Sequence, residues 1–186
     1  MSKDIQRKVA ALREGSHVLR CHTVPHFGEY SVGKHSYDML TLLFALHPDP
    51  SVALIKAITY HDQGERWVGD IPSPAFDGRP VFRKEFEEAQ AFGQLVITGI
   101  EMPELTQEET NWLHATDKVE LFLWAKEQAA MGNTLVHGFI VNLKRTFKEM
   151  SAKKTMPLEM ERFLLDYVGF ERINETDYIQ ELLEEE

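Results

Sequence analysis

His61 and Asp62 are adjacent in the chain, with a second histidine, His35, upstream and a carboxylate, Asp117, downstream, each on its own helix-like segment. Imidazole and carboxylate donors from three separated segments can enclose a divalent cation and still leave positions for water and a phosphate oxygen. That is the chemistry of a metal-dependent hydrolase. Judged singly, each histidine is an ordinary core residue: His35 lies on the stripe Met39, Leu42, Leu43 and Leu46, and His61 shares a face with Leu54, Ile58 and Glu65. Asp117 falls in line with Leu113, Leu121 and Trp124, where an unpaired carboxylate costs on the order of several kcal/mol to desolvate. Something cationic must compensate it. Lys118 is adjacent, but neighbours on a helix do not face each other. One bound cation accounts for all the inward donors together.

Two further carboxylates accompany the pair. Glu65 stands three residues after Asp62, where it could orient or deprotonate an attacking water or serve as a partly exposed helix-surface acid. Asp70 falls in the turn that follows, and as a residue it is equally a cap, an acceptor behind the ligands, or a general acid or base.

These residues must be held by helices. Apolar residues recur every three or four positions along most of the chain, and few runs alternate as strands do. The spacing predicts an all-α, single-domain bundle with helices over 5–13, 31–46, 51–68, 81–98, 105–131, 134–148 and 157–168. Pro25, Gly28 and Gly33 mark 20–34 as loop or turn, and His47-Pro48-Asp49-Pro50 stops the second helix. Thr106 with Glu109 three residues later forms a capping box. The acidic end, 181–186, is expected to fray.

The chain has 186 residues, of which 43% are hydrophobic, enough for one core of ordinary size. No apolar run approaches the roughly 18 residues of a membrane span, and the N-terminus lacks a signal-peptide core, so a soluble, cytoplasmic protein is expected. Cys21 is the lone cysteine, which excludes an intrachain disulfide and a cysteine-based zinc cluster. A net charge of −10 opposes adhesion to nucleic acid or to an anionic membrane, but leaves small phosphorylated substrates open. There is no P-loop and no G-x-G-x-x-G turn for a kinase or dehydrogenase. The sequence does not fix the subunit count, and a homo-oligomer is compatible with it.

The run His61-Asp62-Gln63-Gly64-Glu65-Arg66-Trp67-Val68-Gly69-Asp70-Ile71-Pro72-Ser73-Pro74 resembles the HD-domain phosphohydrolases, most closely the bacterial 5'-deoxynucleotidase branch with its H-D-x-x-E-x-x-x-G-D-[LI]-P-x-P. The similarity extends to Arg20, to Glu29 through Ser36 around His35, and to Ala115-Thr116-Asp117-Lys118, so that it covers about 17–120. The C-terminal helices over 134–170 and the acidic tail carry no matching motif.

Position by position, the resemblance implies that His35, His61, Asp62 and Asp117 bind one divalent transition metal ion, that Glu65 and Asp70 do the acid and base work, and that Arg20 contacts phosphate. Mn, Co, Fe, Ni or Zn suits such ligands. Cys21 stands where close relatives carry an aromatic residue near the sugar, and Lys34 stands where they carry an acid. His22, His26 and Lys34 crowd the expected mouth of the site and add substrate-binding candidates. That layout is shared by small viral HD enzymes that remove triphosphate from deoxynucleotides, including a dATP-specific group. The resemblance therefore implies a phosphohydrolase of nucleotides, chiefly 2'-deoxynucleotides, of 5'-nucleotidase type. The alternatives are a deoxynucleoside triphosphate triphosphohydrolase and a catalytically silent nucleotide-binding regulator. The exposed-looking cluster Lys144, Arg145, Lys148, Lys153 and Lys154 reads as a solvated helix face that could also reach phosphate.

Overall fold

A computed structural model describes residues 3–167. Its elements are helices α1 (Lys3–Gly15), α2 (Val32–Leu46), α3 (Val52–Tyr60), α4 (Glu65–Val68), α5 (Pro80–Thr98), α6 (Gln107–Ala130), α7 (His137–Ala152) and α8 (Leu158–Asp166), with short 3-10 turns at Ser73–Phe76 and Thr134–Val136. Among the described residues the only β pairing is an isolated bridge between Leu19 and Ser31. The fold is all-α. No helix of the described residues is long and apolar enough to cross a membrane. The end of the chain, including the acidic run 181–186, lies outside the described residues.

The caps explain why the central helices start where they do. Ser31 accepts from the Lys34 amide at the head of α2, and Ser51 accepts from the Leu54 amide at the head of α3. Thr106 and Glu109 form the expected capping box on α6. The Ser51 hydroxyl also donates to Glu109 Oε1, so the starts of α3 and α6 are tied together.

α2, α3 and α7 all pack on α6, and their inward faces supply the main core. Met39 and Leu43 from α2, Leu54 and Ile58 from α3, Ala115 and Val119 from α6 and Met160 from α8 are completely buried. Each of these side chains other than Ala115 contributes roughly 1.5–3 kcal/mol relative to exposure. A smaller cluster of Tyr30, Trp124, Ala125 and Val136 sits beside it, under the loop that precedes α2.

One expected helix is broken. The sequence predicts a continuous helix over 51–68, but α3 ends at Tyr60 and residues 61–64 form a turn before the single turn of α4. The Gln63 amide donates to the Tyr60 carbonyl (3.1 Å) and the Glu65 amide to the Asp62 carbonyl (3.0 Å), the tighter three-residue spacing of a 3-10 turn. Packing imposes it. Gly64 lies so close to α5 that a Cβ there would stand 2.8 Å from the Gln90 carbonyl oxygen. The last helices also differ in detail: 134–136 is a 3-10 turn, and α7 continues to Ala152, beyond the expected 148.

The glycine contacts make a stability prediction. Gly64→Ala must shift α5 and should cost about 1–3 kcal/mol of unfolding free energy. Gly138→Ala adds a methyl with nothing within 4 Å on helical backbone, and should raise stability by about 0.4–1 kcal/mol. Urea unfolding followed by circular dichroism checks both signs.

Candidate functional site

The turn at 61–64 faces the first half of α2 and the middle of α6, and it brings His61 and Asp62 against His35. The ligand atoms of His35, His61 and Asp62 all lie within 4.8 Å of one another. The two imidazole rings are 5.4 Å apart between centroids. His61 Nδ1 stands 2.9 Å from the Ile58 carbonyl, and because a carbonyl only accepts, this nitrogen carries the proton. His35 Nδ1 is held by Glu120 Oε2, with the Tyr30 hydroxyl 3.2 Å away. Both Nε2 atoms are therefore turned inward and buried, in no well-aligned hydrogen bond but close to carboxylates: His61 Nε2 lies 3.1 Å from Asp62 Oδ2 and His35 Nε2 3.3 Å from Asp117 Oδ1. Two such imidazole nitrogens beside a carboxylate are a donor set that fits a divalent cation.

Asp117 borders this triple. Its Oδ1 lies 3.3 Å from His35 Nε2 and 3.7 Å from Arg20 Nη2. Its Oδ2 accepts from Lys118 Nζ at 2.8 Å, since the long lysine stem folds back to its own neighbour, contrary to the sequence expectation for adjacent helical residues. Arg20 enters from the loop before α2. Its Nη1 bonds Asp62 and lies 3.9 Å from Glu65 Oε1, and its guanidinium sits over the Tyr30 ring at 5.7 Å. The loop that carries Arg20 is itself fastened to α6. Gln128 accepts from the Phe27 amide and donates to the Phe27 carbonyl, and Asn133 donates to the Pro25 carbonyl.

The enclosed charges perturb one another. Burial would drive His61 toward its neutral form, but Asp62 beside it outweighs that and lifts it to about 9. Burial likewise opposes ionisation of Asp62, yet His61 and Arg20 hold it well below the usual carboxylate range. Asp117 is also depressed against burial, chiefly by Lys118 and His35. Glu65 goes the other way. It is almost fully buried, its Oε2 has no hydrogen-bond partner, and desolvation followed by repulsion from Asp62 raises it to about 9.

The remaining sequence candidates separate. Asp70 Oδ2 accepts from the Cys21 amide at 2.9 Å and lies 3.8 Å from His22 Nδ1, so it flanks Arg20 on the outer side. His22 is exposed at this rim. Lys34 is exposed and paired with Asp38 one turn along α2. Its ammonium makes no contact with the histidine and aspartate donors among the ion pairs of the described residues. His26 packs edge-on to Trp124 with Nδ1 2.9 Å from the Val24 carbonyl. Lys144, Arg145, Lys148, Lys153 and Lys154 are exposed, the first three on α7 and the last two just past its end.

Sequence reasoning missed Glu120 and Tyr30. Glu120 was legible, since it stands three residues after Asp117 and four before Trp124 on the same buried stripe. Tyr30 carried no periodic signal, and its role follows from its stacking on Trp124, 4.5 Å between ring centroids.

No protein-family model matches the chain, and no curated protein matches it. Among solved structures, a conserved hypothetical protein from Pyrococcus furiosus is similar, at 22% sequence identity and a TM-score of 0.54, over 76% of this chain and 96% of that one. At that identity the likeness bears on the helical fold alone.

Cys21 supplies a test of how closed the rim is. It adopts a left-handed backbone conformation, φ 53°, and burial pushes its thiol up to about 12 despite the nearby Arg20. Alkylation by iodoacetamide at about pH 8 should be at least roughly 100-fold slower than for glutathione, and the rate should keep rising above about pH 10, where an ordinary thiol has levelled off. A glutathione-like rate and plateau would contradict the packing around this loop.

Proposed function

We propose that this chain is a metal-dependent phosphohydrolase of nucleotides, with 5'-nucleotidase chemistry on 2'-deoxynucleotides as the preferred activity. The observation that carries the proposal is the inward convergence of the His35 and His61 Nε2 atoms on Asp62, with a part-buried arginine and a buried glutamate, one of whose oxygens has no hydrogen bond, against them. The resemblance of 61–74, Arg20, His35 and Asp117 to the HD-domain phosphohydrolases supports the same reading. His35, His61, Asp62 and Asp117 would hold the ion, which is a divalent transition metal such as Mn, Co, Fe, Ni or Zn. When bound, it supplies Lewis acidity toward phosphoryl oxygens and lowers the pKa of water.

The chain's own residues supply the rest. Arg20 is aimed at the donors from the loop side, and a phosphoryl group there would replace the carboxylates as the partner of its guanidinium. Glu65, buried beside the same turn, would take a proton from the attacking water in its carboxylate form, which a divalent cation at the neighbouring donors would favour by offsetting the repulsion from Asp62. Asp70, bonded to the amide of Cys21 next to Arg20, would return a proton to the leaving 5'-oxygen or fix Cys21 and His22 at the rim.

The triphosphohydrolase alternative draws on a basic mouth that includes Lys34. Lys34 is exposed and pairs with Asp38 on the surface of α2, and the motif of 61–74 matches the 5'-deoxynucleotidase branch, so removal of a single 5'-phosphate is the preferred reading. Two catalytic carboxylates also favour an enzyme over a silent binder.

The proposal predicts phosphate release from nucleoside 5'-monophosphates that depends on added divalent metal and stops with chelator. Asp62→Ala should abolish it. Glu65→Gln should lower kcat by about 10²–10⁴-fold while changing metal affinity little. Assays of nucleoside mono-, di- and triphosphates against a metal panel, with product identification, decide the matter: turnover by Asp62→Ala equal to wild type would end the proposal, and tripolyphosphate as product would transfer it to the alternative.

A further inference from the structure

His35 reaches the donor cluster from a position that is completely enclosed, with no solvent contact. A ring there could rotate about its last side-chain bond or carry its proton on either nitrogen, and only one of those arrangements offers Nε2 to the cluster. The constraint comes from the opposite side of the ring. Glu120, buried on α6 three residues beyond Asp117, places Oε2 against His35 Nδ1. The same oxygen accepts from the Tyr30 hydroxyl at 2.6 Å, and that hydroxyl is 3.2 Å from His35 Nδ1. Tyr30 is completely buried and cannot easily leave, because its ring stacks on Trp124 with an interplanar angle of 14° while Arg20 covers it. A backbone bond from the Arg20 amide to the Tyr30 carbonyl, 2.8 Å, joins this unit to the guanidinium at the site.

We propose that Glu120 and Tyr30 are positioning residues that fix His35 with its Nδ1 proton on Glu120 and its Nε2 turned to the donor cluster. Neither touches the cluster's centre, so they act through His35. A buried carboxylate has few reasons to be kept in an apolar stripe, and here its Oε2 lies against the His35 ring nitrogen and the Tyr30 hydroxyl. Carboxylates behind metal-binding histidines hold the ring in place and raise its basicity, and their loss typically weakens metal binding by about 10–100-fold. Tyr30 adds a second function, since its backbone and ring link the arginine loop to the same histidine. This inference rests on the cation site proposed above.

The test uses the full chain, with Glu120→Gln and Tyr30→Phe chosen to preserve volume. In the metal-free protein, proton NMR should show a downfield, slowly exchanging His35 Nδ1–H resonance, assigned by its loss in His35→Gln. The resonance should shift upfield and exchange faster in Glu120→Gln. Cobalt titration followed by its visible absorbance should give an affinity weaker by roughly 10–100-fold, and by at least about five-fold, in Glu120→Gln, with a smaller loss in Tyr30→Phe. An absent resonance in the wild type, or a cobalt affinity of Glu120→Gln within roughly five-fold of wild type, would overturn the positioning role. If the wild type binds no cobalt, the cation site itself fails, and the Nδ1–H resonance alone then decides whether Glu120 holds the ring.

Discussion

Each of the two imidazoles presents Nε2 to a shared point only because its other nitrogen is already committed. Nδ1 of His61 is spent on the carbonyl of Ile58, part of the same turn of chain, and Nδ1 of His35 is spent on a carboxylate from a different helix. The first anchor is local and follows from how α3 ends. The second is tertiary and exists only when α2 and α6 are packed. The arrangement of donors is therefore a consequence of the core, and disturbing the helix contacts disturbs the ligands with them.

Charge is the second constraint. Asp62, Glu65, Asp117 and Glu120 are crowded into a region with little water, and such a group of carboxylates is costly to assemble unless cations accompany it. Arg20 and Lys118 provide part of the compensation, the former bonded to Asp62 and the latter to Asp117. The raised Glu65 shows that compensation is incomplete on that side. A divalent cation held by the histidines and Asp62 would complete it, so the electrostatics and the inward nitrogens point to the same chemistry. The loop that delivers Arg20 is not held by a helix of its own. Gln128 and Asn133 hold its backbone instead, and Tyr30 wedges its end against Trp124.

Much of this was legible in the chain. The helical stripes, the capping box of Thr106 with Glu109, and the inward direction of His35 and Asp117 all follow from periodicity and local chemistry. The break after Tyr60 was not, because it depends on the approach of α5 to Gly64, a contact between segments distant in sequence. Lys34 shows the converse limit: a basic residue next to a ligand in sequence faces outward, since neighbours on a helix point about 100° apart. Glu120 fell between these cases. Its spacing from Asp117 marked it as inward, but its partner His35 lies 85 residues away, and only the packed structure pairs them.

The most direct measurement is anomalous diffraction at the zinc absorption edge from crystals grown with one equivalent of zinc. The account predicts a single strong peak at about 2.0–2.2 Å from His35 Nε2, His61 Nε2 and one oxygen each of Asp62 and Asp117. A peak held by other residues, or no peak with these side chains ordered as described, would contradict it.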